Sequence, residues 1–328
     1  MMKKWKLAAL AAAAVAVTGV AKADDFKPAI VFDMGGKFDK SFNESAYNGA
    51  EEFKKSTGID YMEFEVTQVS QREQAVKRMA KKGASVVVAM GFAQAAAVEK
   101  AAKAYPDTKF TIVDMVVDLP NVQSIVFKEH EGSFLVGMAA AMTSKTGKVG
   151  FVGGMDIPLI RKFALGYAEG AKYANPDAEV FQNMTGTTPA AWNDPTKGGE
   201  LAKSQFDRGA DVVYAAAGGT GIGVYQAAKD AGKFAIGVDS NQNYLHPGTM
   251  LTSMTKRVDV AVREAFETAK AGTWKPGIKV LGLKEGGVGY AVDEHNKSVL
   301  SEDVIAKLEQ ARADIIAGKI QVKEYKPN

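Results

Sequence analysis

The second half of this chain repeats the first. GASVVVAMGF from Gly83 matches GADVVYAAAG from Gly209, and KFTIVDM from Lys109 matches KFAIGVDS from Lys233. The offsets of 126 and 124 residues keep the register within two positions. Short apolar runs alternate with amphipathic stretches in both halves, the signature of parallel α/β units. Continuous runs such as VVVAM suit strands covered on both faces. A closed barrel would hold all strands in one sheet, whereas two self-similar blocks imply two doubly wound, Rossmann-like α/β lobes joined by a hinge. Two similar lobes suggest a cleft that captures a ligand more than they suggest a metabolic enzyme.

The first 23 residues read as an export leader. Lys3, Lys4 and Lys6 precede an apolar run from Leu7 to Val20, and Ala21-Lys22-Ala23 supplies a small-residue cleavage signal. The run falls short of the roughly 18 apolar residues of a membrane span. The chain has no cysteine, which excludes disulfides, thiolate chemistry and a lipid-anchoring cysteine at the cleavage point. The expected location is the periplasm, free rather than tethered, as a monomer. Losing the leader removes four lysines and leaves 37 basic against 38 acidic residues. A near-neutral mature chain offers no basic footprint for nucleic acid.

The tail beyond Asp239 is longer than a second lobe needs, so it is expected to cross back. The lobe boundaries expected from this are 24–128 with 249–281 for lobe 1, and 129–248 with 282–328 for lobe 2.

In open α/β sheets, ligands bind beyond the carboxyl ends of the strands. Asp33, Asp114 and Asp239 stand at three such ends, and Gly218 brings backbone close at a fourth. In the loop after the first strand, Ser41 or Asn43 is positioned to cap the following helix. Phe42 stands at that helix entrance, as a hydrophobic staple or as a platform for a flat ligand. Trp192 lies in a proline-bounded loop of the other half, and two such aromatics could sandwich a planar ring. GGTGIG at 218–223 follows a strand but fits neither G-x-G-x-x-G nor the phosphate loop ending in G-K-[ST]. No G-x-S-x-G elbow appears, and His130, His246 and His295 form no metal-ligand spacing. No metal, cofactor or catalysis is expected.

Four motifs in order, FDMGGKFDKSFNESAYNG, FKEHEGSFLVG, GVDSNQ and LTSMTKRVDVAV, closely resemble the Bmp (basic membrane protein) family. These are substrate-binding proteins of ABC importers, including purine nucleoside receptors. The resemblance implies a periplasmic-binding-protein type I fold that closes on a purine nucleoside or nucleobase and delivers it to a membrane permease. Carried over by position, Asp33 and Asn43 would bind the base or organise its pocket, with Phe42 stacking on it. Asp114 would bind the base or support the pocket. Asp239 would accept from ribose hydroxyls, and Lys256 would donate to the ribose or pair with Asp239. Gly218 would approach the ligand through its backbone, and Trp192 would stack. A receptor for another planar solute such as a flavin, or a nucleoside-processing enzyme, is the alternative.

Overall fold

A computed structural model describes residues 26–327, so the expected leader, residues 1–23, lies outside the described residues. The first sheet contains β1 (Pro28–Phe32), β2 (Met62–Glu65), β3 (Val86–Ala89), β4 (Lys109–Val113), β5 (Val122–Phe127) and β11 (Gly277–Leu281). Its order is β11-β5-β4-β3-β1-β2, parallel throughout. The second sheet contains β6 (Lys148–Met155), β7 (Glu179–Gly186), β8 (Val212–Ala216), β9 (Phe234–Asp239), β10 (Met250–Lys256) and β12 (Val288–Tyr290). Its order, β12-β10-β9-β8-β6-β7, mirrors the first, with β12 antiparallel to β10. Strands such as PAIVF and VVYAA are buried along their whole length because helices cover both faces. The strand order reverses between β1 and β3 and again between β6 and β8, which opens a crevice at the carboxyl end of each sheet.

The sheets exchange helices symmetrically. Strand β5 belongs to the first sheet, but the helix after it, α4 (Glu129–Thr143), packs on α5 (Pro158–Ala174), β10 and β12. Strand β10 belongs to the second sheet, but α8 (Val258–Lys270) packs on α1 (Phe42–Thr57), β3 and β4. Glycines permit both contacts. A Cβ at Gly137 would stand 2.1 Å from the Tyr167 carbonyl, and one at Gly49 would stand 2.0 Å from that of Asp259. The chain then returns from β11 to β12, and α9 (Glu302–Ile316) packs against α4.

This arrangement corrects one expected boundary. Within 249–281, assigned to lobe 1 from sequence, Met250–Lys256 is the fifth strand of the second sheet and pairs with β9. The second crossing therefore falls after Lys256. The physical reason lies in the repeat, because β10 is the counterpart of β5 and continues the duplication past Asp239. Periodicity also fails to reveal α4, which is buried on all sides from Glu129 to Ala141 and so has no polar face.

Candidate functional site

The strand ends of the two sheets converge on one cavity. Asp33 follows β1 and is held by Arg72, the first residue of α2 (Arg72–Lys81), whose Nε and Nη2 donate to Oδ1 at 3.1 and 3.0 Å. Burial pushes the Asp33 carboxyl above its usual range, and Arg72 opposes that rise. Gly91, at the end of β3, has φ of 90°, and a Cβ there would lie 2.9 Å from Asp33 Oδ2. The repeat places Asp114 and Asp239 at equivalent ends of β4 and β9. Both adopt left-handed backbone, with φ of 71° and 63°, a conformation that costs non-glycine residues energy. Strain at the same position in both halves marks these two ends as special.

The loop after β1 is organised by a residue outside the expected set. The Asp39 carboxylate accepts the backbone N–H groups of Ser41, Asn43 and Glu44 at 2.8, 3.0 and 3.1 Å. Asp39 thus satisfies the open amides at the start of α1. Neither Ser41 nor Asn43 caps the helix through its side chain, as the sequence suggested. Ser41 Oγ instead reaches across to the other lobe and donates to Asp239 Oδ2 at 2.5 Å. Asn43 Nδ2 donates to the carbonyls of Asp33 and Gly36, both at 3.1 Å, and its Oδ1 is buried without a partner. Burial pushes the Asp39 carboxyl up to about 7, with Asp239 adding to the rise and the three amides opposing it.

Lys256 is buried rather than solvated, with 2% of its side chain exposed. Its Nζ lies 2.7 Å from Asp114 Oδ2 and 3.3 Å from Glu129 Oε1. The rings of Phe42, Phe127 and Phe163 surround it, with centroids at 5.3, 5.0 and 5.6 Å. The expected direct pair with Asp239 is not formed; that residue bonds Ser41 and influences Lys256 through its charge. Burial opposes the ammonium, but Asp114, Glu129 and Asp239 together outweigh it and hold it above lysine's usual range. Glu129 is pushed up to about 7 by burial, with Lys256 opposing the rise. Burial likewise raises Asp239, against the pull of Lys256 and Ser41. Asp114 Oδ1 is buried without a partner.

The second lobe contributes Trp192 from a short 3-10 turn, Pro189–Trp192. Thr220 pins that turn by donating to the Ala191 carbonyl at 2.9 Å and accepting from the Asp194 amide at 2.8 Å. The indole lies against Gly154, where a Cβ would stand 2.2 Å from the ring. Gly218, with φ of 57°, passes beneath the Trp192 carbonyl. Gly35 of the first lobe would place a Cβ 3.3 Å from Trp192 Cβ, so the two lobes touch here. Gln242 Nε2 donates to the Lys40 carbonyl at 2.8 Å, and Ser240 Oγ donates to the Ser41 carbonyl at 3.1 Å. With Ser41–Asp239 and Lys256–Asp114, these bonds draw the lobes together.

The cavity between the strand ends has a volume of about 80 Å³ and opens to solvent. All eight residues singled out from sequence line it: Asp33, Phe42, Asn43, Asp114, Trp192, Gly218, Asp239 and Lys256. The sequence reading missed Asp39 and the apolar wall made by Leu159, Ile160 and Phe163 of α5. It also missed Arg72 and Glu129, which act from behind the lining. Apolar walls with a few convergent polar groups describe a small-molecule site. The carboxylates and the amide that line it, on Asp33, Asp114, Asp239 and Asn43, can accept hydrogen bonds from N–H and O–H groups of a ligand.

A model of the Bmp family, described as ABC transporter substrate-binding protein PnrA-like, matches residues 26–326. The chain is 35% identical over 323 residues to the CD4+ T-cell-stimulating antigen of Listeria monocytogenes, covering 92% of this chain and 88% of that protein. It is 36% identical over 323 residues to the ABC transporter nucleoside-binding protein BmpA of Lactococcus lactis subsp. cremoris, covering 91% and 89%. Among solved structures, an ABC transporter solute-binding protein from Aeropyrum pernix K1 superposes with a TM-score of 0.84 at 30% identity, covering 92% of this chain and 94% of that one.

Proposed function

Because this chain belongs to the Bmp family of ABC transporter substrate-binding proteins, with its two-sheet type I fold, we propose that it captures a purine nucleoside or nucleobase. The observation that carries this reading is one cavity between the lobes with an aromatic side chain from each, Phe42 and Trp192, and the carboxylates of Asp33, Asp114 and Asp239 in its lining. A flat base would lie against the aromatics. Its N–H groups would meet Asp33, Asn43 and Asp114, and the ribose hydroxyls would donate to Asp239. Hydrogen bonds to a charged group contribute roughly 1.5–3 kcal/mol each. The name of the Lactococcus relative supports the same ligand class.

Capture follows from the two-lobed build. A ligand that touches both lobes stabilises the arrangement in which Ser41 meets Asp239 and Lys256 meets Asp114. The closed receptor then presents both lobes to a membrane permease. The leader-like first 23 residues and the absence of a cysteine to carry a lipid support a free periplasmic protein.

Thermal-shift screening of the mature chain tests the reading. Guanosine, inosine, adenosine or adenine should raise the melting temperature, and riboflavin should not. A response to riboflavin alone transfers the site to another planar solute. Release of free base from an incubated nucleoside overturns the receptor reading in favour of an enzyme.

A further inference from the structure

We propose that Arg72, which lies outside the cavity lining, is a positioning residue for recognition: its guanidinium fixes Asp33 as an ionised acceptor with Oδ2 turned to the cavity. The identity of the donor that Oδ2 meets, an N–H on the edge of a base, rests on the nucleoside reading above.

Both nitrogens of the Arg72 fork that reach Asp33 converge on one oxygen, Oδ1. The other oxygen occupies space kept open by Gly91, where any side chain would begin 2.9 Å from Oδ2. Both Asp33 and Gly91 line the cavity. Each side chain of the ion pair is only 12% exposed, so water screens the interaction weakly. Burial favours the neutral acid, and the Arg72 guanidinium opposes it most, with the Met34 backbone N–H assisting. The difference matters to a ligand, because an ionised carboxylate only accepts and a neutral one also donates. Asp33, Arg72, Gly91 and Asn43 all belong to the first lobe, so the acceptor stands ready before the lobes meet. Lysine could supply the charge but not the two-pronged hold on one oxygen.

The test compares wild type with Arg72→Met and Arg72→Lys. Asp39, Asp114, Asp239 and Lys256 face the same cavity and are common to every variant. Carbon-13 NMR follows the Asp33 carboxyl through a pH titration of ligand-free protein, with Asp33→Asn assigning the signal. The Arg72→Met midpoint should rise by about one pH unit or more, with Arg72→Lys between it and wild type. Guanosine affinity of Arg72→Met should fall about tenfold at pH values between the wild-type and variant Asp33 midpoints and return toward wild type as Asp33 ionises at higher pH. In an Asp33→Asn background, Arg72→Met should leave affinity unchanged. An unmoved midpoint in folded Arg72→Met overturns the proposal, as does a pH-independent loss that adds to that of Asp33→Asn. A shifted midpoint in a protein that binds no purine nucleoside sustains the role of Arg72 and removes the nucleoside reading. Nucleoside binding with an unmoved midpoint does the reverse.

Discussion

Lys256 Nζ, at the end of a second-sheet strand, lies 2.7 Å from Asp114 Oδ2, just beyond the end of a first-sheet strand. The pair is buried and joins the two lobes through the wall of the cavity. Glu129 completes the cluster from the first residue of α4, where the chain first crosses between lobes. The same lysine therefore shapes the site and ties together the segments that must move around it.

Removing that cation should be costly. Lys256→Met leaves Asp114 and Glu129 buried without a partner, and such losses run to about 3–5 kcal/mol. Urea denaturation should show the deficit. Adding Asp114→Asn to Lys256→Met should recover part of it, because the stranded charge is then gone.

Glu129 sets a pH dependence. Its folded-state pKa, about 7, stands above the ordinary 4.5. The sign follows: the folded state holds the proton more tightly, so this contribution is complete below 4.5 and is lost as pH rises to about 7. The unfolding free energy of wild type minus that of Glu129→Gln should fall across that window and level off above it. A difference that is flat with pH, measured by denaturation at matched ionic strength, contradicts the assignment.

Gly154 tests the indole without altering it. A Cβ at Gly154 would collide with the Trp192 ring, so Gly154→Ala must displace the ring from its place in the wall. Nucleoside affinity should drop by about 1–3 kcal/mol, the range for losing an aromatic stacking surface. Calorimetry should show Trp192→Ala and Gly154→Ala losing similar amounts, with the double variant little worse than either.

Asp239 should be tested as Asp239→Asn, since asparagine tolerates its left-handed backbone where alanine adds strain. Nucleoside affinity should fall roughly tenfold or more, the loss expected for a charged hydrogen bond. A 2′,3′-dideoxynucleoside should bind wild type and the variant equally weakly, because it has no ribose diol to donate.

Much of this site was legible because strand ends are marked in sequence by an apolar run that stops at Asp or Gly. Asp33, Asp114, Asp239 and Gly218 were reachable by that rule alone, and the family motifs added Asn43 and Lys256. What could not be read was how charges pair across the lobes. Lys256 meets Asp114 across the lobes although β10 pairs with β9, the strand that ends in Asp239, and the placement of β10 depends on following the repeat one strand further than its clearest match. Asp39 was hidden for a different reason. Its role comes from three backbone amides, which leave no pattern in side-chain identity. Glu129 opens a helix apolar around nearly its whole circumference, where periodicity carries no signal.

The central claim is that two lobes close on one purine nucleoside. Isothermal titration of residues 24–328 with guanosine and inosine tests it most directly. Saturable binding of one nucleoside per chain with a Kd of about 1 μM or tighter is expected. Absence of saturable binding by either nucleoside, or by adenosine under the same conditions, contradicts it.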